Sequence, residues 1–298
     1  MERKLEYIIT DEFHNKTVEQ FLKSLEFPHQ AIVQLKKTKE GILRNGIWAY
    51  TSEKLCTGDN LSLHLVENVP ESSIAPIFVP LHIVYEDEDL LVIDKPANMP
   101  IHPSMNHHEG TVANGLMHYF NSQGKAFTFR AINRLDRDTS GLTMVAKHLL
   151  SGGILSRQVS TKEIKRTYLA ICHGKLPNDG TIDAPIARVA DSTIERCVNF
   201  ETGERAITHF KRIAYDEEKQ LSLVELRLET GRTHQIRVHL KYLGHPIIGD
   251  FLYNPDYTYC QRQALHSASL TFIHPITKKE MHFASPLPED LKCIFPHI

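Results

Sequence analysis

His82-Ile83-Val84-Tyr85-Glu86-Asp87-Glu88-Asp89-Leu90-Leu91-Val92-Ile93-Asp94-Lys95-Pro96 reads as a strand, an acidic turn and a second strand, so the chain forms a β-hairpin here. Working outward, strand-like runs recur at residues 142–146, 167–172, 206–213, 221–228 and 270–274, with helical patterns at 112–120, 149–159 and 234–243. A doubly wound fold would alternate strand and helix regularly. This irregular order predicts an α+β domain built on a mixed, largely antiparallel sheet.

Upstream lies a smaller unit. Val18, Phe21, Leu22 and Leu25 recur at helical spacing, and Ala31, Ile32 and Leu35 repeat the pattern after Pro28, which predicts two short helices. Asn45-Gly46 is a tight-turn dipeptide, and Gly58-Asp59 precedes the alternating Leu61, Leu63 and Leu65, which together predict a hairpin behind the helix pair. Residues 66–80 carry Pro70, Pro76 and Pro80 among Glu, Ser and Asn and read as an extended linker. The expected division is therefore a small α/β module over 1–69, a linker over 70–80 and a main domain over 81–298. Lys36, Lys37, Lys39 and Arg44 cluster in the module, where a phosphate backbone could be met; a solvated charged face is the equal alternative. Because this cluster carries no chemistry, removing residues 1–75 is expected to spare the main domain.

Composition sets the outer bounds. The 298 residues are 41% hydrophobic and 23% charged, a globular profile far from that of a disordered chain. Lys plus Arg number 34 against 36 Asp plus Glu, so a nucleic-acid partner would have to be held by a local basic surface. The five cysteines are scattered, which fits reduced thiols in a cytoplasmic protein. No apolar run approaches the roughly 18 residues of a membrane span, and residues 1–10 hold no signal-peptide block. His102, His107 and His108 sit close together, as do His234, His239 and His245. Neither set is joined by the carboxylate or Cys partners of a metal site, so structural or RNA-contacting roles are expected and no metal.

Three segments place charged or aromatic residues where a core would not need them. Ile132-Asn133-Arg134-Leu135-Asp136-Arg137-Asp138-Thr139-Ser140-Gly141-Leu142 alternates two acids and two arginines before a glycine and a strand, as a functional loop does. Ser140 lacks the flanking glycine of a hydrolase nucleophile elbow. Lys165-Arg166-Thr167-Tyr168-Leu169-Ala170-Ile171 is a strand entered from a basic stretch, in which Tyr168 is either a core aromatic or a recognition residue. In Thr230-Gly231-Arg232-Thr233-His234-Gln235-Ile236-Arg237-Val238-His239-Leu240, Ile236, Leu240 and Leu243 anchor a helix ending at Gly244, so Arg237 and Lys241 share its other face.

Together these segments resemble the RluA-type pseudouridine synthase family, in the family's order. The likeness extends to Lys95-Pro96 and His102-Pro103 upstream, and to Gly244-His245-Pro246-Ile247-Ile248-Gly249-Asp250, Leu265-His266 and Pro286-Leu287-Pro288 downstream. The stretch from Ala31 through Lys36-Lys37 to Arg44-Asn45-Gly46 and Gly58-Asp59 resembles the small RNA-binding module named after ribosomal protein S-four. Its first helix carries Glu19 and Gln20 where that family has basic residues. Asn133 stands where the synthases often have His, and Asn98 where they often have Gly, although Asn tolerates a left-handed backbone.

The resemblance implies a catalytic domain with a central RNA-binding cleft, and conversion of uridine to pseudouridine in structured RNA. Ribosomal RNA is the expected substrate, with tRNA the alternative. It implies no cofactor, a monomeric protein, and Asp136 as the essential carboxylate, acting as nucleophile or base beside the sugar. Arg237 is its partner and Tyr168 stacks on the extruded base. Arg134, Arg232, His234 and Gln235 are implied RNA contacts, alongside the module's four basic residues. Two other classes of reading remain: a non-catalytic RNA-binding or chaperone protein that keeps the fold, and a glycosidic hydrolase using Asp136 with Asp138.

Overall fold

The computed structural model describes residues 1–67, 73–104 and 108–296; Pro70 and His107 fall outside these. The first unit is more than helices and a hairpin. Strand β1 (Glu2–Ile8) precedes α1 (Val18–Ser24), α2 (His29–Lys37), β2 (Ile42–Arg44), β3 (Ile47–Trp48) and β4 (Asn60–Val66), and the strands form one antiparallel sheet ordered β1-β4-β2-β3. Helix α1 starts at a capping box in which Thr17 and Gln20 satisfy each other's backbone N–H groups. The Asn45-Gly46 turn has φ of +53° and +80°, the paired positive values that a two-residue hairpin of this hand requires.

The second unit is a nine-stranded sheet. Its elements are β5 (His82–Glu86), β6 (Leu90–Lys95), α3 (Val112–Ser122), β7 (Ser140–Ala146), α4 (Leu149–Ser160), β8 (Lys165–His173), β9 (Asp179–Asp183), β10 (Ile186–Arg188), β11 (Arg196–Val198), β12 (Ile207–Asp216), β13 (Leu221–Leu228), α5 (Gln235–Tyr242), β14 (Leu265–Ile273), β15 (Glu280–Ala284) and α6 (Glu289–Lys292). The order is β5-β6-β7-β14-β8-β13-β12-β9, with β15 beside β14 and with β10 and β11 paired as a separate ribbon. The β7–β14 pair is parallel and the other pairs are antiparallel, so the fold is α+β with a mixed, mostly antiparallel sheet.

Strand β14 fixes the centre. Ser267 lies opposite Gly141 of β7 on one side and opposite Tyr168 of β8 on the other, so the loop entering β7 and the tyrosine of β8 arrive at one level. Gly141 makes this approach possible. Its φ is +101°, and a Cβ there would meet the Ser267 carbonyl oxygen at 2.3 Å.

The two units share packing. Leu150 and Ile154 of α4 are buried in the cluster that also holds Val18, Phe21, Leu35 and Leu63 of the first unit. Arg3 donates from Nε to Asp89 Oδ1 at 2.8 Å, and Arg130 pairs with Glu67 at 3.1 Å. This packing changes the expected outcome of truncation. Uncovering two aliphatic side chains forfeits roughly 1.5–3 kcal/mol each, against a typical net stability of about 5–15 kcal/mol. A protein lacking residues 1–75 should therefore melt well below the full chain in a thermal denaturation series. Equal melting temperatures would show that the shared cluster contributes nothing to the main domain.

Candidate active site

The 133–139 loop is held from both ends before any function is considered. Asn133 is buried, accepts from Met144 N at 2.8 Å and donates to the Leu142 carbonyl at 3.2 Å, so its side chain acts as an extra rung beside β7. Lys95 donates to the carbonyls of Pro96 and Arg137 at 2.8 and 2.9 Å, which fixes the backbone next to Asp136. Burial pushes the Lys95 ammonium down to about 7, while Asp138 and Asp136 draw it back up. Arg262 grips the Asp138 carbonyl at 3.0 Å, and Gln263 donates to Thr139 Oγ1 at 2.6 Å. Asn98, on the facing turn, has the left-handed φ of +57°.

Asp136 is 31% exposed and takes a hydrogen bond from Arg237 Nη1 at 2.8 Å. Behind it, Arg237 is almost fully buried and donates from Nε and Nη2 to the two oxygens of Asp250 at 2.6 and 2.7 Å. Burial opposes the guanidinium charge, yet Asp250 and Asp136 hold its pKa above the ordinary arginine value. Asp250 also accepts the backbone N–H groups of Leu252 and Tyr253 at 3.0 and 3.1 Å. The Tyr253 ring lies 4.9 Å from the guanidinium carbon. Arg237 is thus a rigid fork with two nitrogens fixed inward and one presented to Asp136.

Asp136, Arg237 and Tyr168 line one cavity of about 750 Å³, with Ile101 and Leu265 supplying apolar wall. Tyr168 is 4% exposed, and its hydroxyl has no hydrogen-bond partner among the described residues. Arg166, two residues earlier on β8, also lines the cavity, and its buried Nε has no partner among the described residues. That signal was absent from the sequence, where Arg166 is one cation in a basic stretch. Arg134 lines the rim and is likewise without a partner among the described residues.

Of the remaining expected contacts, Arg232, His234 and Gln235 line this same cavity, and the module's cations do not. His234 caps α5 in the left-handed conformation, with Nδ1 2.9 Å from Tyr253 Oη and Nε2 3.9 Å from Asp136. Burial pushes its pKa below the usual imidazole value against the pull of Asp136. Tyr253 Oη also accepts the Arg196 N–H at 2.9 Å, so the one hydroxyl ties His234 to the β10–β11 ribbon. Arg232 does not reach Asp136; it pairs with Glu204 and donates to the Arg205 carbonyl. Gln235 is buried, and its amide donates to Ile207 O and Thr208 Oγ1 at 2.9 and 3.0 Å while accepting from Thr230 and Arg232. It pins the loop before α5. Among the module cations, Arg44 is tied to Asp59 at 2.9 Å and Lys36 to Glu19 at 3.5 Å, while Lys37 and Lys39 are exposed.

Two chemistries lose support from this geometry. Asp138 is held by Arg137 at 2.9 and 2.8 Å and does not line the cavity, so among the described residues no second carboxylate flanks a bond opposite Asp136. Ser140 is buried between strands, 3.0 Å from His266 Nδ1. Asp87, Asp89 and His274 are grouped closely enough to hold a cation, but His274 Nδ1 accepts the N–H groups of Ile276 and Thr277. Its proton therefore sits on Nε2 and points at Asp87, 2.7 Å away, where a metal would need the bare nitrogen. His239 is similarly consumed, by Thr208 and the Ala184 carbonyl.

Comparison with known proteins places this geometry in a wider set. The family model for RNA pseudouridylate synthases matches residues 89–242. The chain is similar to an uncharacterised RNA pseudouridine synthase, YjbO, of Bacillus subtilis (strain 168), with 41% identity over 92% of this chain and 96% of the relative. It is also similar to ribosomal large subunit pseudouridine synthase D of Xanthomonas campestris pv. campestris, at 35% identity over 90% and 83% of the two chains. Among solved structures, human RNA pseudouridylate synthase domain containing 1 aligns with a TM-score of 0.58 and 26% identity, covering 73% of this chain and 86% of that one.

Proposed function

This chain belongs to the RNA pseudouridylate synthase family and is a pseudouridine synthase, and from that premise we propose that it isomerises uridine in ribosomal RNA with Asp136 as its essential carboxylate. The observation that carries the assignment of residues is the Asp136–Arg237 contact at 2.8 Å, backed by buried Asp250 and opening on a cavity walled by Tyr168. The bond from C1′ of ribose to N1 of the base breaks, the base turns, and C1′ bonds to C5, whose proton is released as N1 gains one. Asp136 acts at the sugar, as nucleophile or as base, while Arg237 keeps its carboxylate aimed. His234 stands beside the same carboxylate, its Nε2 3.9 Å away. Arg134 meets phosphate or fills the gap left by the flipped nucleotide. Residues 1–69 are the RNA-binding module, joined by the 70–80 linker to the catalytic domain at 81–298.

Ribosomal RNA is proposed because relatives such as the Xanthomonas protein are named for the large ribosomal subunit. The test is a map of pseudouridines in cellular RNA with and without this chain. Loss of defined large-subunit positions is the expected result, and loss confined to tRNA would overturn it.

Tyr168 offers a separate check. Its ring lies in the cavity wall with a free hydroxyl, which suits stacking on the extruded base. Tyr168→Phe should bind substrate RNA more tightly than Tyr168→Leu, since base stacking contributes roughly 1–3 kcal/mol. Equal weakening in an affinity titration would sink the stacking role.

A further inference from the structure

Beside the catalytic cavity lies a second one of about 520 Å³, and the two share Arg134 and Arg232 in their walls. Arg188 and Arg196, from the β10–β11 ribbon, complete its basic lining. These two arginines face each other directly in the antiparallel register of a two-stranded ribbon, a placement in which like charges repel and destabilise the pairing. Arg196 donates to the carbonyls of Ile194 and Glu195 at 3.1 and 2.9 Å, and neither it, Arg188 nor Arg134 has a carboxylate partner among the described residues. Among the described residues the one acid in the cavity wall is Glu204, which is 70% exposed and engaged with Arg232.

The ribbon therefore presents two guanidinium groups to one cavity, Arg188 exposed and Arg196 half-buried, in an arrangement that an anion between them would stabilise. Arginine's planar fork suits phosphate oxygens. The shared wall joins this cavity to the one that holds Asp136. We propose that the β10–β11 ribbon forms a phosphodiester site, anchored by Arg188 and Arg196, for the RNA strand flanking the target uridine. The flanking strand rests on the functional reading above; the anionic site itself does not. Glu204 repels the incoming phosphate and must release Arg232 as the strand enters.

The test uses the full chain, a synthetic oligouridylate as polyanionic binding probe, and a large-subunit rRNA fragment as substrate. The Arg188→Gln/Arg196→Gln double variant should bind oligouridylate at least tenfold more weakly at physiological salt. Its plot of log affinity against log salt should be shallower by about 1.4, at about 0.7 per phosphate contact on a single strand. Its melting temperature should hold or rise, because the repelling pair is gone. Glu204→Gln should bind oligouridylate severalfold more tightly. These opposite signs separate the proposal from general damage. An unchanged salt slope in the double variant would overturn the site. So would weaker binding by Glu204→Gln. If the native chain shows the binding pattern but isomerises no uridine in any ribosomal fragment, the phosphate site stands and the rRNA reading falls.

Discussion

Asp136→Asn should lower the single-turnover rate of isomerisation by at least about a thousandfold, within the range expected when a lone general base or nucleophile is lost, while RNA affinity changes only a few-fold. The site is built so that this substitution removes chemistry and little else. Asp136 is partly exposed, and the buried partner of Arg237 is Asp250, so the guanidinium keeps its charge pairing when Asp136 becomes neutral. The asparagine oxygen can still accept from Arg237 Nη1. The loop itself is held by Asn133, Lys95 and Gln263, none of which touches the carboxylate. Fold and binding surface should therefore survive, and a thermal melt alongside the rate measurement checks that they do. Appreciable turnover by the pure variant would remove Asp136 from the centre of the reaction. Free uracil released by the native chain would instead indicate hydrolysis, since isomerisation leaves the RNA mass unchanged.

How much of this was legible beforehand depended on whether a residue's role follows from its own type and spacing. Asp136 and Arg237 stand in a charged loop and on a helix with an apolar stripe, so their sequence setting already marks them. The α5 helix came out within a residue or two of its expected bounds for the same reason. Strand β1 was missed because only Leu5 of its seven residues is buried, which leaves little apolar alternation to read. The ribbon of β10 and β11 has three residues per strand, too few for any period. Asp250 was quoted only as part of a resemblance, since nothing in a run of Ile, Gly and Phe reveals that its carboxylate grips an arginine thirteen residues away. Charge pairing is decided in three dimensions. The sequence therefore could not show that the Gln235 amide, on the cavity wall, is also bonded within the chain, or that Asp59 pairs with Arg44.

The Asp250–Arg237 pair carries the second large effect. Asp250→Asn keeps the volume but turns an N–H donor toward a guanidinium that has only donors to offer. Breaking a buried pair on one side typically costs about 3–5 kcal/mol, and here the backbone N–H groups of Leu252 and Tyr253 also lose part of their acceptor. The melting temperature should drop substantially. More telling is the rate of the fraction that remains folded, expected to fall about a hundredfold because Arg237, no longer fixed by two bonds, stops holding Asp136 in its reactive aim. Arg237→Lys should cost at least about tenfold by the complementary route, since a lysine ammonium can meet one carboxylate but lacks the fork that spans both. The decisive measurement is the double variant, scored as single-turnover rate per folded molecule at saturating RNA. If Asp250 acts through Arg237, adding Asp250→Asn to Arg237→Lys should lower the rate little further, as strongly coupled neighbours do in a double-mutant cycle. Fully multiplicative losses would mean that Asp250 serves the Leu252–Tyr253 turn and that Arg237 aims Asp136 without it.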